Sequence, residues 1–89
     1  MATLWILFPD KQEKWDLEDA PVTIGRIDGN TIRVNEARVS KRHARIVKEG
    51  AGWKVEDLGS SNGTWQDGIR IESAPLVAGQ RFTIGRTEF

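Results

Sequence analysis

Cysteine is absent from this 89-residue sequence, as are several other features that would narrow the class of protein. Without cysteine the chain forms neither disulfides nor thiolate metal sites, which is compatible with a cytoplasmic, intracellular location. No apolar run is long enough to span a membrane. The N-terminal stretch MATLWILFPD lacks a basic leader and a small-residue cleavage site, so we interpret it as a first β-strand rather than a secretory signal.

An excess of charge of one sign is also absent. The 13 basic and 13 acidic residues give a formal net charge of zero, which argues against a nucleic-acid domain that binds through bulk charge. The distribution is uneven, however, because the region from 26 to 45 has two acidic residues against six basic ones. A local basic surface on a neutral protein suits a small anionic target better than a long polyanion. The basic residues are Arg26, Arg33, Arg38, Lys41, Arg42 and Arg45.

Helical periodicity is lacking, and short apolar or alternating runs recur between Gly, Pro, Asn and Asp instead. This pattern is typical of an all-β protein. The sequence predicts strands at Thr3–Phe8, Lys14–Leu17, Pro21–Ile24, Thr31–Val34, Ala44–Lys48, Trp53–Asp57, Thr64–Gln66, Ile69–Ile71, Arg81–Ile84 and Thr87–Phe89. Strands this short and frequent predict a single sandwich domain over residues 1–89, which a longer protein could contain.

Two details of this pattern concern turns and packing. Asp67-Gly68 stands between two short strands and predicts a type I′ hairpin, because both central residues of that turn have positive φ.

The four tryptophans are expected to serve core and hairpin packing rather than base stacking, and not all of them need to be buried.

Three loops combine polar donors with turn-forming residues: IGRIDGNT, ARVSKRHA and LGSSNGT. A phosphate carries about −1.5 to −2 charge at pH 7 and is matched by a guanidinium, a hydroxyl and backbone N–H groups. Arg26 supplies the guanidinium, Ser40 the hydroxyl, and Lys41 a further positive charge. Loops at one end of a sandwich commonly carry its function, so these loops predict an anion-binding site.

Short motifs follow one another in a specific order along most of the chain. They are GR at 25–26, SKRHA at 40–44, DLGSSNGT at 57–64, DG at 67–68 and IG at 84–85. Their order resembles that of the forkhead-associated (FHA) domain, a reader of phosphothreonine peptides. The family pattern runs Gly-Arg, Ser-x-x-His and Ser/Thr-x-Asn-Gly-Thr, and the resemblance covers residues 22–85. It implies an all-β sandwich of two twisted antiparallel sheets with about ten or eleven short strands.

The resemblance also implies roles for individual residues. Arg26 and Ser40 would bind the phosphate, with Lys41 beside them. Ser61 would sit against the phosphothreonine and shape a pocket for its methyl group. Asn62 would hydrogen-bond the peptide backbone after that residue. The partner would be a phosphothreonine-containing protein or peptide.

Further residues would support this site or extend it. His43 would be structural, with its ring tying the binding loops together, and Gly25, Gly63 and Gly68 would serve backbone geometry. Arg38 falls where some members of the family contact a side chain further along the peptide, for which an acidic residue is suggested. Arg42 and Arg45 are expected on a solvated face, and Ser60 is expected to be a turn residue.

Other classes of function predict different behaviour. Ser40 and His43 could form a nucleophile and base, but we expect no orienting carboxylate near them and therefore no enzyme. No metal or cofactor is expected. A phosphate-independent scaffold domain would hold its partner through a sheet face. A nucleic-acid surface at Arg26–Arg45 would give binding that depends steeply on salt.

Overall fold

The computed structural model describes residues 2–17, 20–77 and 79–89. Within these ranges the chain forms eleven strands and no helix, so it contains no helix that could cross a membrane. The strands are β1 (Ala2–Leu7), β2 (Gln12–Leu17), β3 (Val22–Gly25), β4 (Ile32–Arg33), β5 (Ala44–Glu49), β6 (Gly52–Asp57), β7 (Thr64–Gln66), β8 (Ile69–Ile71), β9 (Ser73–Leu76), β10 (Thr83–Ile84) and β11 (Thr87–Glu88).

The strands form two sheets that enclose one apolar core. One sheet has the order β2-β1-β11-β10-β7-β8 and the other has the order β4-β3-β5-β6-β9. All pairs are antiparallel except β3 with β4, which pair in parallel over two residues of each strand. The predicted fold class, a sandwich of two antiparallel sheets, is confirmed.

Alternation along the strands supplies the core. On β5, Ala44 and Ile46 are fully buried, whereas Arg45 between them is exposed. The same alternation buries Ile6 on β1 and Val55 on β6. Apolar side chains from both sheets therefore meet between the layers, where burial of each large one stabilises the fold by about 1.5–3 kcal/mol.

The sequence-based prediction missed one strand, β9. Pro75 interrupts its pattern, because proline lacks the N–H that an inner strand needs. The structure accepts this proline because β9 lies at the edge of its sheet.

The tryptophans divide into two pairs, in agreement with the expectation that not all four need to be buried. Trp15 and Trp53 pack against the core, whereas Trp5 and Trp65 are exposed. The core itself is built from smaller side chains and two stacked phenylalanines, Phe82 and Phe89.

The connections at one end of the sandwich carry the GR, SKRHA and DLGSSNGT motifs. β3 ends at Gly25, β5 begins at Ala44, β6 ends at Asp57 and β7 begins at Thr64. The loops β3–β4, β4–β5 and β6–β7 therefore start or finish at the same end of the two sheets. Segments far apart in sequence are brought together there by strand pairing.

Candidate functional site

The three loops enclose a pocket of about 400 Å³ at this end of the sandwich. Every residue that the sequence predicts to contact phosphate or peptide lines this pocket. The lining consists of Arg26, Ala37, Arg38, Val39, Ser40, Lys41, Arg42, Ser61 and Asn62. A larger, mainly apolar hollow of about 720 Å³ lies elsewhere, beside β1 and the β9–β10 loop, and none of these residues lines it.

Arg26 follows the last residue of β3 and is half-buried. Its Nε donates to the carbonyl of Val39 at 3.0 Å, and its backbone N–H donates to the carbonyl of Ser40 at 3.1 Å. These two bonds attach the end of β3 to the β4–β5 loop. They also hold the guanidinium by its Nε, which leaves the two terminal nitrogens to donate to a ligand.

Ser40 connects two loops through its hydroxyl. The Ser40 Oγ accepts the backbone N–H of Ser61 at 3.2 Å, although the two residues are 21 positions apart in the chain. The hydroxyl proton remains available to donate into the pocket. Lys41 beside it is exposed, and its backbone carbonyl accepts the side-chain amide of Asn30 at 2.9 Å.

His43 is completely buried beneath the pocket. Its Nδ1 accepts the backbone N–H of Ser40 at 3.1 Å, so the proton of the neutral ring lies on Nε2, which donates to the carbonyl of Gly63 at 2.9 Å. The ring thereby joins the β4–β5 loop to the β6–β7 loop. This arrangement agrees with the structural role that the resemblance implies for His43.

A carboxylate does lie near His43, since Asp57 Oδ1 is 3.9 Å from its Nε2, but this distance is too long for a hydrogen bond and Nε2 is bonded to the carbonyl of Gly63. The arrangement also differs from a nucleophile–base pair. Ser40 meets the ring with its backbone N–H, and its hydroxyl accepts from Ser61 instead. The imidazole therefore has no contact through which it could take a proton from the Ser40 hydroxyl.

Asp57 organises the β6–β7 loop from within. Its Oδ2 accepts the backbone N–H groups of Gly59 and Ser60, both at 3.0 Å, and its Oδ1 accepts the hydroxyls of Ser60 and Thr64. Burial alone would raise the pKa of this carboxyl, but the hydrogen bonds from Ser60 and Thr64 outweigh it and hold the pKa below its usual value. The Ser60 Oγ in turn accepts the N–H of Gly63 at 3.1 Å, so Ser60 is a turn residue as expected.

Asn62 and Arg38 contact each other across the mouth of the pocket. The side-chain amide of Asn62 donates to the carbonyl of Arg38 at 2.9 Å. The Asn62 carbonyl accepts the indole N–H of Trp65 at 2.9 Å, which holds the loop over β7. Asn62 keeps its side-chain oxygen and a second amide hydrogen for a ligand. The side chains of Ser61, Arg38 and Arg42 are exposed, so Arg42 is solvated as expected but also lines the pocket.

The glycines of the motifs meet two different requirements. Gly25 lies so close to the β4–β5 loop that a Cβ there would overlap the carbonyl oxygen of Lys41 and lie 2.6 Å from Asn30 Nδ2. Gly63 and Gly68 have φ values of 89° and 77°, a region that favours glycine. Asp67 has φ of 53°, so the predicted positive φ at both central hairpin positions is confirmed.

Two residues that bond loops or turns near the site were not singled out from the sequence. Arg70 on β8 donates through Nη2 to the carbonyl of Ser60 at 2.9 Å and so holds the β6–β7 loop from the other sheet edge. Glu36 accepts the backbone N–H of Arg86 and the hydroxyl of Thr87. No local pattern marks either residue, because both act on segments distant in the chain.

Replacement of Gly25 by alanine should destabilise the protein by about 2 kcal/mol, since a Cβ at this position must displace the Lys41 carbonyl. The free energy of unfolding in urea measures this effect. Gly52→Ala is the matched control, because the nearest atom to a Cβ there is 3.9 Å away and the substitution should be within about 0.5 kcal/mol of wild type. Equal stability of the two variants would show that the close approach at Gly25 is not required.

Comparison with known protein sequences gives the same family as the motifs. The FHA domain family model matches residues 22–85. The FHA domain-containing protein FhaB of Mycobacterium tuberculosis is 43% identical over 72 residues, which are 80% of this chain and 46% of FhaB. The glycogen accumulation regulator GarA of Mycolicibacterium smegmatis is 32% identical over 78 residues, which are 88% of this chain and 49% of GarA. The chain thus spans about half the length of these relatives.

Solved structures have the same fold over nearly the whole of this chain. The Mycobacterium tuberculosis EmbR structure in complex with a low-affinity phosphopeptide matches with a TM-score of 0.86 and 32% identity, over 99% of this chain and 24% of that one. The FhaA FHA domain complexed with the intracellular domain of Rv3910 matches with a TM-score of 0.87 and 25% identity, over 98% of this chain and 96% of that one. The chain therefore belongs to the FHA domain family of phosphothreonine-recognition modules.

Proposed function

We propose that residues 1–89 act as one non-catalytic module that binds a phosphothreonine-containing segment of a partner protein through the pocket described above. One observation carries this proposal: the Ser40 hydroxyl bonds the backbone N–H of Ser61 in the same pocket that Arg26 lines. A guanidinium and a hydroxyl from two loops thus meet at one pocket, and the Ser61 amide ties a third loop to that hydroxyl. The structure of EmbR, which contains a similar domain and was solved in complex with a phosphopeptide, supports this proposal.

The charge around the pocket favours a doubly charged anion. Its lining includes Arg26, Arg38, Lys41 and Arg42, and among the residues that the structure describes no carboxylate belongs to it. A phosphate of about −2 charge is attracted by such a cluster, and each charge-assisted hydrogen bond contributes about 1.5–3 kcal/mol. No single bond of that size gives a tight site, so Arg26, Ser40 and Lys41 act together in this proposal.

Selection of threonine would depend on the threonine methyl group. Ser61 is the residue that would border it, since its backbone already lies against Ser40. Burial of one methyl group stabilises a complex by about 0.8 kcal/mol, equivalent to roughly a fourfold preference for phosphothreonine over phosphoserine. Asn62 would hydrogen-bond the peptide backbone, and Arg38 would reach an acidic side chain further along the peptide.

We propose an intracellular, cytoplasmic role without a metal or cofactor, with which the absence of cysteine is compatible. Two other functions predict different results. A phosphate-independent scaffold would bind its partner equally well after phosphatase treatment. A nucleic-acid surface along Arg26–Arg45 would bind DNA or RNA with an affinity that falls steeply as salt is raised.

A calorimetric titration with a phosphothreonine peptide library tests the proposal. We expect binding of phosphothreonine peptides, binding about fourfold weaker for matched phosphoserine peptides, and none for the same peptides after phosphatase treatment. A parallel titration with duplex DNA at two salt concentrations tests the nucleic-acid alternative. Peptide binding that survives phosphatase treatment would favour the scaffold function and contradict the phosphate pocket.

A further inference from the structure

Glu36 connects the pocket to a turn that lies 50 residues further along the chain. Its Oε1 accepts the backbone N–H of Arg86 at 2.9 Å, and its Oε2 accepts the hydroxyl of Thr87 at 2.7 Å. Thr87 is completely buried. A Cβ at Gly85 would lie 2.9 Å from Glu36 Oε1, so the β10–β11 turn packs closely against this carboxylate. The carboxylate therefore holds a turn of one sheet to a loop of the other.

The backbone of the same residue leads toward the phosphate site. The N–H of Val39 donates to the carbonyl of Glu36 at 3.1 Å and closes a turn over residues 36–39. Val39 is buried, and its own carbonyl accepts the Nε of Arg26 at 3.0 Å. Glu36 is thus two hydrogen bonds away from the guanidinium, although its carboxylate is not among the groups that line the pocket.

We propose that Glu36 is a positioning residue: it anchors the turn over residues 36–39 to the β10–β11 turn and so holds the Arg26 guanidinium ready for the phosphate. This inference rests on the proposed function of the pocket. A donor that is already held in place loses less conformational freedom when the ligand binds, and affinity rises accordingly. Glu36 acts here through geometry, because a negative charge near the pocket would by itself weaken the binding of an anion.

Two substitutions separate geometry from charge. Glu36→Ala removes both hydrogen bonds to the β10–β11 turn, and we expect phosphopeptide affinity about tenfold weaker. Glu36→Gln removes the charge but keeps a side-chain oxygen that accepts the Arg86 N–H. Its amide N–H can donate to the Thr87 hydroxyl oxygen, so we expect phosphopeptide affinity close to wild type. If only charge mattered, both variants would bind the phosphopeptide more tightly than wild type.

A second pair of variants distinguishes loss of the Glu36 hydrogen bonds from loss of folding and from non-specific effects on affinity. Thr87→Val removes one of the two bonds and should weaken binding about threefold, with the fold retained. Glu88→Ala is the matched control on the adjacent residue, because that carboxylate pairs with Arg81 on the surface and lies outside the pocket. We expect its affinity for the phosphopeptide to equal that of wild type.

Exchange of the Arg26 Nε–H with solvent, followed by NMR without any peptide, tests the link independently of phosphate binding. We expect faster exchange in Glu36→Ala and wild-type exchange in Glu36→Gln and Glu88→Ala. Unchanged exchange in Glu36→Ala, or phosphopeptide affinity equal to or above that of wild type, would overturn the inference. If wild type binds no phosphopeptide but the exchange responds as expected, the link to Arg26 stands and the proposed function fails.

Discussion

Replacement of Arg26 by alanine should weaken phosphopeptide binding at least a hundredfold while the protein stays folded. The loss corresponds to about 3 kcal/mol, because removal of one partner from a desolvated charge pair typically has an effect of 2–5 kcal/mol. Among the described residues, the one side-chain hydrogen bond that the folded state loses runs from Nε to the Val39 carbonyl, and it contributes about 1 kcal/mol. Calorimetric titration gives the affinity, and a thermal melt gives the stability.

Arg33→Ala is a closely matched control for this substitution. Arg33 also donates from Nε to a main-chain carbonyl, that of Arg26, at 3.0 Å, but it does not line the pocket. We expect a similar small loss of stability and wild-type affinity for the phosphopeptide. Arg26→Lys should give an intermediate affinity, because lysine keeps the charge but lacks the planar fork. Wild-type binding by Arg26→Ala would show that the phosphate binds elsewhere.

Replacement of Asp57 by asparagine should reduce the free energy of unfolding by about 3 kcal/mol. The Asp57 carboxylate accepts four hydrogen bonds. Asparagine can keep its one side-chain oxygen for the backbone N–H groups of Gly59 and Ser60, but its amide nitrogen cannot accept, so the buried hydroxyls of Ser60 and Thr64 lose their acceptor. Buried donors that lose a charged acceptor are destabilising by about 1–3 kcal/mol each. Urea unfolding measures the loss. Asp67→Asn is the control and should be neutral, since asparagine tolerates the positive φ of that exposed turn.

The same carboxyl makes stability depend on acid pH. Because the pKa of Asp57 is lower in the folded protein than its usual 3.8, its contribution is complete above that value and is lost as the pH falls through the folded pKa. The difference in unfolding free energy between wild type and Asp57→Asn should therefore be constant from neutral pH down to about 4 and shrink at lower pH. A difference that stayed constant below pH 3 would mean that the carboxylate charge is not what stabilises the loop.

Most strands could be predicted from the sequence because their signals are local. The hairpin of β7 and β8 has the predicted bounds, since alternation and the Asp67-Gly68 pair both act over neighbouring residues. β9 could not be predicted in this way. Its proline is acceptable only because the strand lies at a sheet edge, and position within a sheet depends on the whole topology.

The candidate site likewise has residues that could be predicted from the sequence and residues that could not. The order of the motifs predicted Arg26, Ser40 and Asn62 as pocket residues, and all three line the pocket. No role was predicted for Asp57, which bonds the β6–β7 loop from within, or for Glu36, which bonds the β10–β11 turn. The partners of Asp57 lie within its own motif, but residue type alone does not show that its carboxylate turns inward to them. The partners of Glu36 lie 50 and 51 residues away, so no local pattern indicates them.

The sequence by itself determined the family, the all-β class and the hairpin with positive φ at Asp67 and Gly68, and it supplied the residues that we propose bind the phosphate. These properties depend on residue type, short spacing and the order of motifs. Only the tertiary structure decided that the Ser40 hydroxyl accepts the Ser61 N–H and that His43 joins two loops. It also decided that the Glu36 carboxylate accepts the backbone N–H of Arg86 in the β10–β11 turn. Such contacts join segments 20 to 50 residues apart, and strand pairing across two sheets sets their distances.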